Sequence, residues 1–368
     1  MKILFAARSF DNMAGGVERM AISIMNEMVQ RGHKISLLTW DYHDAVTFYP
    51  LSKKVNWFKI NLGEPLEKAS WSIRIKRAVL IRKMVSDTSP DLVLAFQHGT
   101  FFSLKIYTLG LGVAFIAAER NAVSIYKYIS AGRYKNLIMQ SFRLADQITV
   151  QLPSYTKDYP KYLQKKINVI PNRVEQIKLD VLSKNKVKPR KLLLAVGRLS
   201  FQKNFKLLID CFKNLSRDFP EWDLVIAGDG DEFEMLEQLV IHSSINNRIT
   251  LLGSVVDVET LYLNADLFCL TSLWEGFPNS LAEALSYGLP SVGFSESLGV
   301  NELIIDNHNG LLAKGNNNEE SLLNALRTLM SNSKLRDEMS ANAINSMKRF
   351  KPKKIYDQWE ELFIKVRN

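Results

Sequence analysis

The chain has 368 residues, 46% hydrophobic and 23% charged, with 11 prolines and no low-complexity tract. That excludes a disordered or fibrous protein and exceeds what one hydrophobic core accommodates, so two domains are expected. The net charge of +10 is uneven: residues 1–188 carry 29 Lys and Arg against 14 Asp and Glu and residues 189–368 carry 19 against 24, a basic half of about +15 before an acidic half of about −5.

Lys2–Ala6 reads as a first buried strand, because Arg8 arrives after too few apolar residues for a secretory signal. Gly15-Gly16 comes next and opens a helix expected over Val17–Arg31, which puts Val17, Met20, Ala21, Ile24 and Met28 on one face and is stopped by Gly32. Glycine there lets backbone amides and a helix N-terminus approach a phosphate closely, although a purely structural turn has the same signature. Glu18 and Arg19 read as solvated helix residues. Further strands are expected at Ile35–Thr39, Leu92–Phe96, Val113–Ala117, Gln147–Val150 and Asn168–Ile170, a parallel sheet with helical crossovers. Between the first and second of these, Trp71–Lys83 alternates apolar and basic residues, as a helix lying on an anionic lipid surface would, or as a solvated helix packed on its own domain would. With no nucleic-acid-binding motif in the basic half, the anionic partner is read as a membrane surface and not nucleic acid. The longest apolar run, residues 109–118, has two glycines and about half the length a transmembrane helix needs. His98 follows the expected strand Leu92–Phe96 immediately, where it is either a ligand of a cleft or a hydrogen-bonded structural histidine.

Asp180–Lys188 is polar and lysine-rich and precedes Pro189, which places a linker at 183–190 between domains at 1–182 and 191–350, with 351–368 as a separate C-terminal helix. That tail carries Ile355, Trp359, Leu362 and Phe363 on one stripe and is expected to return to the first domain. The second domain repeats the pattern with strands near Leu192–Val196, Leu224–Ala227, Ile249–Leu252, Leu267–Leu270, Ser291–Phe294 and Gly310–Leu312, and helices at Phe205–Leu215 and Ser280–Tyr287. Cys211 and Cys269 have neither the spacing of a metal knuckle nor that of a disulfide framework, which points to a reducing cytosol.

Open parallel sheets bind ligands beyond the carboxyl ends of their strands, and two facing sheets make a cleft. Gly197-Arg198-Leu199-Ser200-Phe201-Gln202-Lys203-Asn204 occupies such a place, directly after Val196. Arg offers a planar fork and Lys a mobile point charge, so Arg198 and Lys203 together are suited to clamp a diphosphate. Trp274-Glu275-Gly276-Phe277-Pro278-Asn279-Ser280-Leu281-Ala282-Glu283 follows the strand ending near Leu270. Pro278 suits the first turn of a helix and leaves neighbouring amides free for oxygens, while Glu275 and Glu283 can accept hydrogen bonds from sugar and ribose hydroxyls. Asp229-Gly230-Asp231 imitates a metal-binding Asp-x-Asp, but its position after a strand and before a helix is explained by a turn and an N-cap.

G-R-L-x-x-x-K and E-G-F-P-N-S-L-A-E, with Gly15-Gly16-Val17-Glu18-Arg19 before them, closely resemble family four of the retaining glycosyltransferases over nearly the whole chain, in the right order. The similarity extends to bacterial members that build O-antigen, capsule (surface polysaccharide), lipopolysaccharide or glycan-lipid precursors. It implies the GT-B fold, two Rossmann-like, doubly wound parallel-sheet α/β domains facing across a cleft. It also implies transfer of a hexose or N-acetylhexosamine from a nucleotide diphosphate sugar, most simply UDP-linked, to a glycan or lipid-linked acceptor, with the nucleotide sugar as co-substrate and neither metal nor cofactor. The expected setting is the cytoplasm, at the inner face of the cell membrane.

Carried over by position, the resemblance makes Arg198 and Lys203 the groups that stabilise the departing diphosphate. Glu275 holds the transferred sugar with Gly276, Phe277, Pro278, Asn279 and Ser280 beside it, Glu283 holds the ribose, and Gly15, Gly16 and Gly197 approach the phosphates. Gly253, Ser254 and Val255 line the nucleobase, and His98 stands near the reacting sugar or the acceptor hydroxyl. Glu119-Arg120-Asn121 and Asn172 look like acceptor-side positions, with Arg120 either meeting an acceptor phosphate or serving as a salt-bridged structural residue. Arg173 stands where the family frequently has glycine, a departure at that turn. Two readings compete with transfer: a nucleotide-sugar epimerase of the same shape, and a non-catalytic nucleotide-sugar-binding assembly partner.

Overall fold

A computed structural model of the chain describes residues 1–177 and 190–367, so the linker expected at 183–190 lies, apart from Arg190, outside the described residues. The chain forms two compact units, one of Met1–Arg173 with the tail from Lys353 onward, the other of Val174–Pro352.

The first unit is built on seven parallel strands: β1 (Lys2–Ala6), β2 (Lys34–Thr39), β3 (Asn56–Lys59), β4 (Leu92–Phe96), β5 (Ala114–Ala118), β6 (Gln147–Val150) and β7 (Ile167–Val169), in the order β3-β2-β1-β4-β5-β6-β7. The central strands are continuous apolar runs because both faces of a parallel sheet are covered by helices. Strand β3 is the strand, among those described, that sequence reading missed. Its four residues, Asn56-Trp57-Phe58-Lys59, sit at the sheet edge with no side chain fully buried, so there was no apolar run to find.

The helix Pro352–Arg367 completes this core. Trp359 and Phe363 are fully buried among residues of β1, β2, β4 and the helix Gly16–Gln30, with the rings of Phe5 and Phe363 6.2 Å apart. Polar contacts fix its azimuth: the Arg31 guanidinium lies 2.8 Å from Asp357 and 2.6 Å from Glu360, and His33 lies 2.8 Å from the other oxygen of Glu360. The hydrogen bond from His33 and the ion pair with Arg31 hold the Glu360 carboxyl below its ordinary range despite partial burial.

The second unit has six parallel strands, β8 (Lys191–Val196), β9 (Trp222–Ala227), β10 (Ile249–Leu251), β11 (Leu267–Leu270), β12 (Ser291–Phe294) and β13 (Gly310–Ala313), ordered β10-β9-β8-β11-β12-β13. The helix Phe205–Leu215 has the predicted bounds, since its apolar stripe of Phe205, Leu208, Ile209, Phe212 and Leu215 is fully buried and its polar face is solvated. In each sheet the strand order reverses beside the first strand of the unit, at β1/β4 and at β8/β11, where open parallel sheets open a crevice for ligands.

Candidate functional site

In the second unit the order β10-β9-β8-β11 sets the loops 253–255, 228–230, 197–203 and 271–279 side by side at the carboxyl ends of adjacent strands. The Arg198 loop is braced from below. Leu199 N–H donates to Asp229 O at 2.9 Å and Glu232 N–H to Leu199 O at 3.0 Å. Gly228, at φ 144°, passes so close that a Cβ would stand 1.9 Å from the Gly197 carbonyl oxygen. Asp229 accepts from the Gly230 amide at 2.8 Å, so the Asp-Gly-Asp segment serves as the turn that supports this loop.

The two motif loops are stitched into one surface. Leu273 N–H donates to Gln202 O at 2.8 Å, the Gln202 amide donates to Trp274 O at 2.6 Å, and Thr271 Oγ1 donates to Lys203 O at 2.8 Å. Lys203 bends back over Gly197, where a Cβ would lie 3.1 Å from Lys203 Cε, and its Nζ reaches Glu275 Oε1 at 2.5 Å. Ser272 Oγ donates to the same oxygen at 2.6 Å. Both members of this ion pair are largely buried, with side chains 14% and 7% exposed. Arg198 is different. It is solvent-exposed, and its guanidinium has no carboxylate partner among the described residues. The Arg198 loop therefore carries one uncompensated cation and one that is already neutralised.

Glu283 lies one helical segment further on, in the helix Asn279–Ser286, and accepts a 3.1 Å hydrogen bond from the hydroxyl of Tyr262. Tyr262 is buried, with its ring 5.3 Å from that of Tyr287. Sequence reasoning did not single out Tyr262, which sits in a seven-residue helix with no motif around it. Pro278 occupies the residue before the helix and accepts from Ala282 N–H at 3.0 Å, so Asn279 and Ser280 belong to the open first turn. Phe277 is buried edge-on against Phe350, 5.4 Å between centroids, which leaves its main chain and not its ring for a ligand. Gly253, at φ 65°, accepts from Gly228 N–H at 2.8 Å, while Ser254 is exposed and Val255 half-buried beside it.

In the first unit, Gly15 and Gly16 open the helix Gly16–Gln30 in extended-to-helical geometry, with Gly15 O accepting from Arg19 N–H at 3.1 Å. A Cβ on Gly15 would stand 2.1 Å from Glu18 Oε2, so Glu18 folds back over the helix start. The approach to the glycines is held by Asp41, a fully buried carboxylate after β2 that accepts from Ser9 Oγ at 2.5 Å and Phe10 N–H at 2.9 Å. Asp41 also escaped sequence reasoning.

His98 and Glu119 are neighbours because Phe96 of β4 pairs with Ala118 of β5. Gln97, at φ 65°, turns the chain into the helix His98–Tyr107, and the His98 backbone N–H donates to the Glu119 carboxylate. Burial pushes the Glu119 carboxyl up to about 7, held back by Arg120 and that N–H, and burial pushes the His98 imidazole down to about 4. Arg120 is 3% exposed: it donates to Thr149 Oγ1 at 3.0 Å and lies 5.0 Å over the Trp359 ring, packed beneath the C-terminal helix. Burial lowers its guanidinium to about 9, against the pull of Glu119. Asn121 is exposed, and Asn172 is buried, accepting from the Gln151 amide at 3.3 Å.

The helix Trp71–Thr88 divides its residues between two faces. Trp71, Ile75 and Val79 are exposed at four-residue spacing, whereas Arg77, Ile81 and Val85 are buried. Arg77 is spent on carbonyls, donating to Leu62 O at 2.9 Å and to Gly63 O at 3.3 Å. No helix among the described residues is long and apolar enough to cross a membrane.

Two family descriptions match in succession: Glycosyltransferase Family 4 over residues 14–176 and Glycosyl transferases group 1 over residues 176–346. The chain is 27% identical to the GalNAc-alpha-(1->4)-GalNAc-alpha-(1->3)-diNAcBac-PP-undecaprenol alpha-1,4-N-acetyl-D-galactosaminyltransferase of Campylobacter jejuni, over 100% of this chain and 99% of that protein. It is 25% identical to the amylovoran biosynthesis glycosyltransferase AmsD of Erwinia amylovora, over 98% and 99%. Among solved structures it superposes on Anabaena HepE in complex with UDP and glucose with a TM-score of 0.80 at 20% identity, covering 99% of each chain. Its two parallel sheets are the two Rossmann-like halves of the GT-B fold. With its successive segments matched from residue 14 to residue 346, the chain belongs to the group 1 glycosyltransferases, its first half being a Glycosyltransferase Family 4 domain.

Proposed function

We propose that this glycosyltransferase moves a hexose or N-acetylhexosamine, with retention of configuration, from a UDP-linked donor to a glycan or lipid-linked acceptor in bacterial surface polysaccharide synthesis. The observation that carries the reading is the exposed, unneutralised Arg198 on the same loop as the Lys203 of the Lys203–Glu275 pair. A diphosphate arriving there meets one free cation at once and competes with Glu275 for the second. Two cations so placed stabilise the charge that grows on the leaving diphosphate, and they do so without a metal ion. Lys203 moving toward the phosphate frees an oxygen of Glu275, still held by Ser272, to accept a hydroxyl of the transferred sugar. Glu283, steadied by Tyr262, accepts from the ribose, and the amides at Asn279 and Ser280 approach the remaining oxygens. No covalent nucleophile is assigned, and front-face displacement, with the departing phosphate taking the acceptor proton, is the mechanism in keeping with retention.

The activities of similar proteins agree with this class: the Campylobacter protein is named for a glycan on PP-undecaprenol, and HepE was solved with UDP and glucose. The test is a panel of nucleotide sugars. The true donor, at 100 times its Kd, is expected to stabilise the fold by about 2.7 kcal/mol in thermal unfolding and to give transfer with a matching acceptor. Release of an epimerised free sugar with no acceptor present would instead make the protein an epimerase.

Attachment to the cytoplasmic face of a membrane is part of the same proposal. Trp71, Ile75 and Val79 offer an apolar stripe, and Arg74, Lys76 and Lys83 flank it on the same helix. Sedimentation with vesicles containing phosphatidylserine is expected to capture the protein at low salt and release it as ionic strength rises. The triple change of Trp71, Ile75 and Val79 to serine is expected to abolish capture while leaving the fold intact. Equal capture by neutral vesicles would count against the electrostatic part.

A further inference from the structure

The His98 ring has one hydrogen-bonding partner among the described residues, and that partner favours one ring nitrogen as the proton carrier. His98 Nε2 lies 2.6 Å from Ser141 Oγ. Ser141 sits at the end of the helix Lys135–Ser141, and its hydroxyl is 2.7 Å from the carbonyl oxygen of Ile138, which can only accept. With the single hydroxyl proton directed to Ile138, the Ser141 oxygen is left as an acceptor and Nε2 as the donor. In a neutral imidazole one nitrogen is protonated and the other bare. Nδ1 is then the bare one, and it makes no hydrogen bond to any described residue.

The ring cannot easily turn to exchange these roles. Phe102 stacks on it at 5.8 Å between centroids with 15° between planes, and Phe142 meets it edge-on at 5.1 Å. Its main chain is held from the other side, because the His98 N–H donates to the Glu119 carboxylate. Burial also keeps the ring neutral across the physiological range. A serine 43 residues away in sequence thus acts on the histidine at the carboxyl end of β4.

We propose that Ser141 is a positioning residue that locks His98 in the Nε2–H tautomer, so that the Nδ1 lone pair accepts a hydrogen bond from a sugar hydroxyl of donor or acceptor. The inference rests on the reading of His98 as a site residue and goes beyond it by naming the working nitrogen and the residue that sets it.

The test uses the full-length protein labelled with nitrogen-15 in histidine. Of the five histidines, His98 is assigned by the signals missing in His98→Asn. The expected wild-type signature is a bare, unprotonated Nδ1 and a proton-bearing Nε2, and in Ser141→Ala both signals move toward the averaged values of a tautomer mixture. Transfer kcat/KM in Ser141→Ala is expected to fall about two- to tenfold, the worth of one neutral hydrogen bond, and Ser141→Thr, which keeps the acceptor oxygen, is expected to restore both the spectrum and the rate. If the bound hydroxyl belongs to the donor, slow donor hydrolysis without acceptor falls in parallel; if it belongs to the acceptor, only transfer falls. A protonated Nδ1 in the wild type, or a Ser141→Ala variant with unchanged ring signals and rate, overturns the proposal while leaving His98 at the site. An unaltered rate in His98→Ala removes His98 from the site altogether, whatever the spectrum shows.

Discussion

Arg198→Ala is expected to lower kcat by about 10²–10³, the loss seen when one preorganised donor to a developing charge is removed. Stability should barely change, within about 0.5 kcal/mol, because Arg198 is exposed and forms no ion pair among the described residues. That separation makes the variant informative. Lys203→Ala is expected to be at least as damaging to turnover, but it also removes the buried cation that Glu275 pairs with. Breaking a buried pair from one side costs about 3–5 kcal/mol, so its rate loss mixes chemistry with folding. Steady-state kinetics with thermal melts on both variants, with and without EDTA, checks the pair of expectations. Full turnover in Arg198→Ala, or activity lost on adding EDTA to the wild type, would be incompatible with a diphosphate clamp made of side chains alone.

The second large effect concerns the fold. Trp359→Ala is expected to destabilise the first unit by about 3–5 kcal/mol, the usual loss on truncating a buried Trp to alanine, and to lower Tm by roughly 10 °C. Trp359 has no exposed surface, packs 5.6 Å from the Phe363 ring and lies beneath the Arg120 guanidinium. Trp359→Phe keeps most of the apolar contact and should cost markedly less. The polar anchor predicts a pH signature of the same docking. Glu360 has its pKa depressed in the folded chain, so its contribution is present above the ordinary carboxylate range and is lost as pH falls through the depressed value. A Trp359→Ala protein that melts like the wild type would mean the tail contributes nothing to the first unit.

Much of the architecture was legible because it is written in local periodicity. Twelve strands were recognisable as apolar runs, and the helix Phe205–Leu215 was recognisable from its 3.6-residue stripe. The edge strand β3 was not, since an edge needs no apolar run to pair. The basic segment from Trp71 was legible as a helix, but its faces were not. Nothing local distinguishes Arg77, which turns inward to the carbonyls of Leu62 and Gly63, from Arg74 and Lys76 beside it.

The sequence by itself determined the alternation of strands and helices, the glycine-bearing loops after strands, and the residue types at Arg198, Lys203, Glu275 and Glu283 that suit a sugar diphosphate. Those depend on neighbours a few residues away, and spacing records them. Only the tertiary structure decided that Lys203 rests on Glu275, that Tyr262 holds Glu283, that Arg120 stacks over Trp359 and that Ser141 meets His98. Each of these pairs joins segments from 21 to more than 200 residues apart, brought together by sheet order and packing. No periodicity along the chain encodes such partners, because each is chosen by a strand crossover or a docked helix and not by its neighbours in sequence.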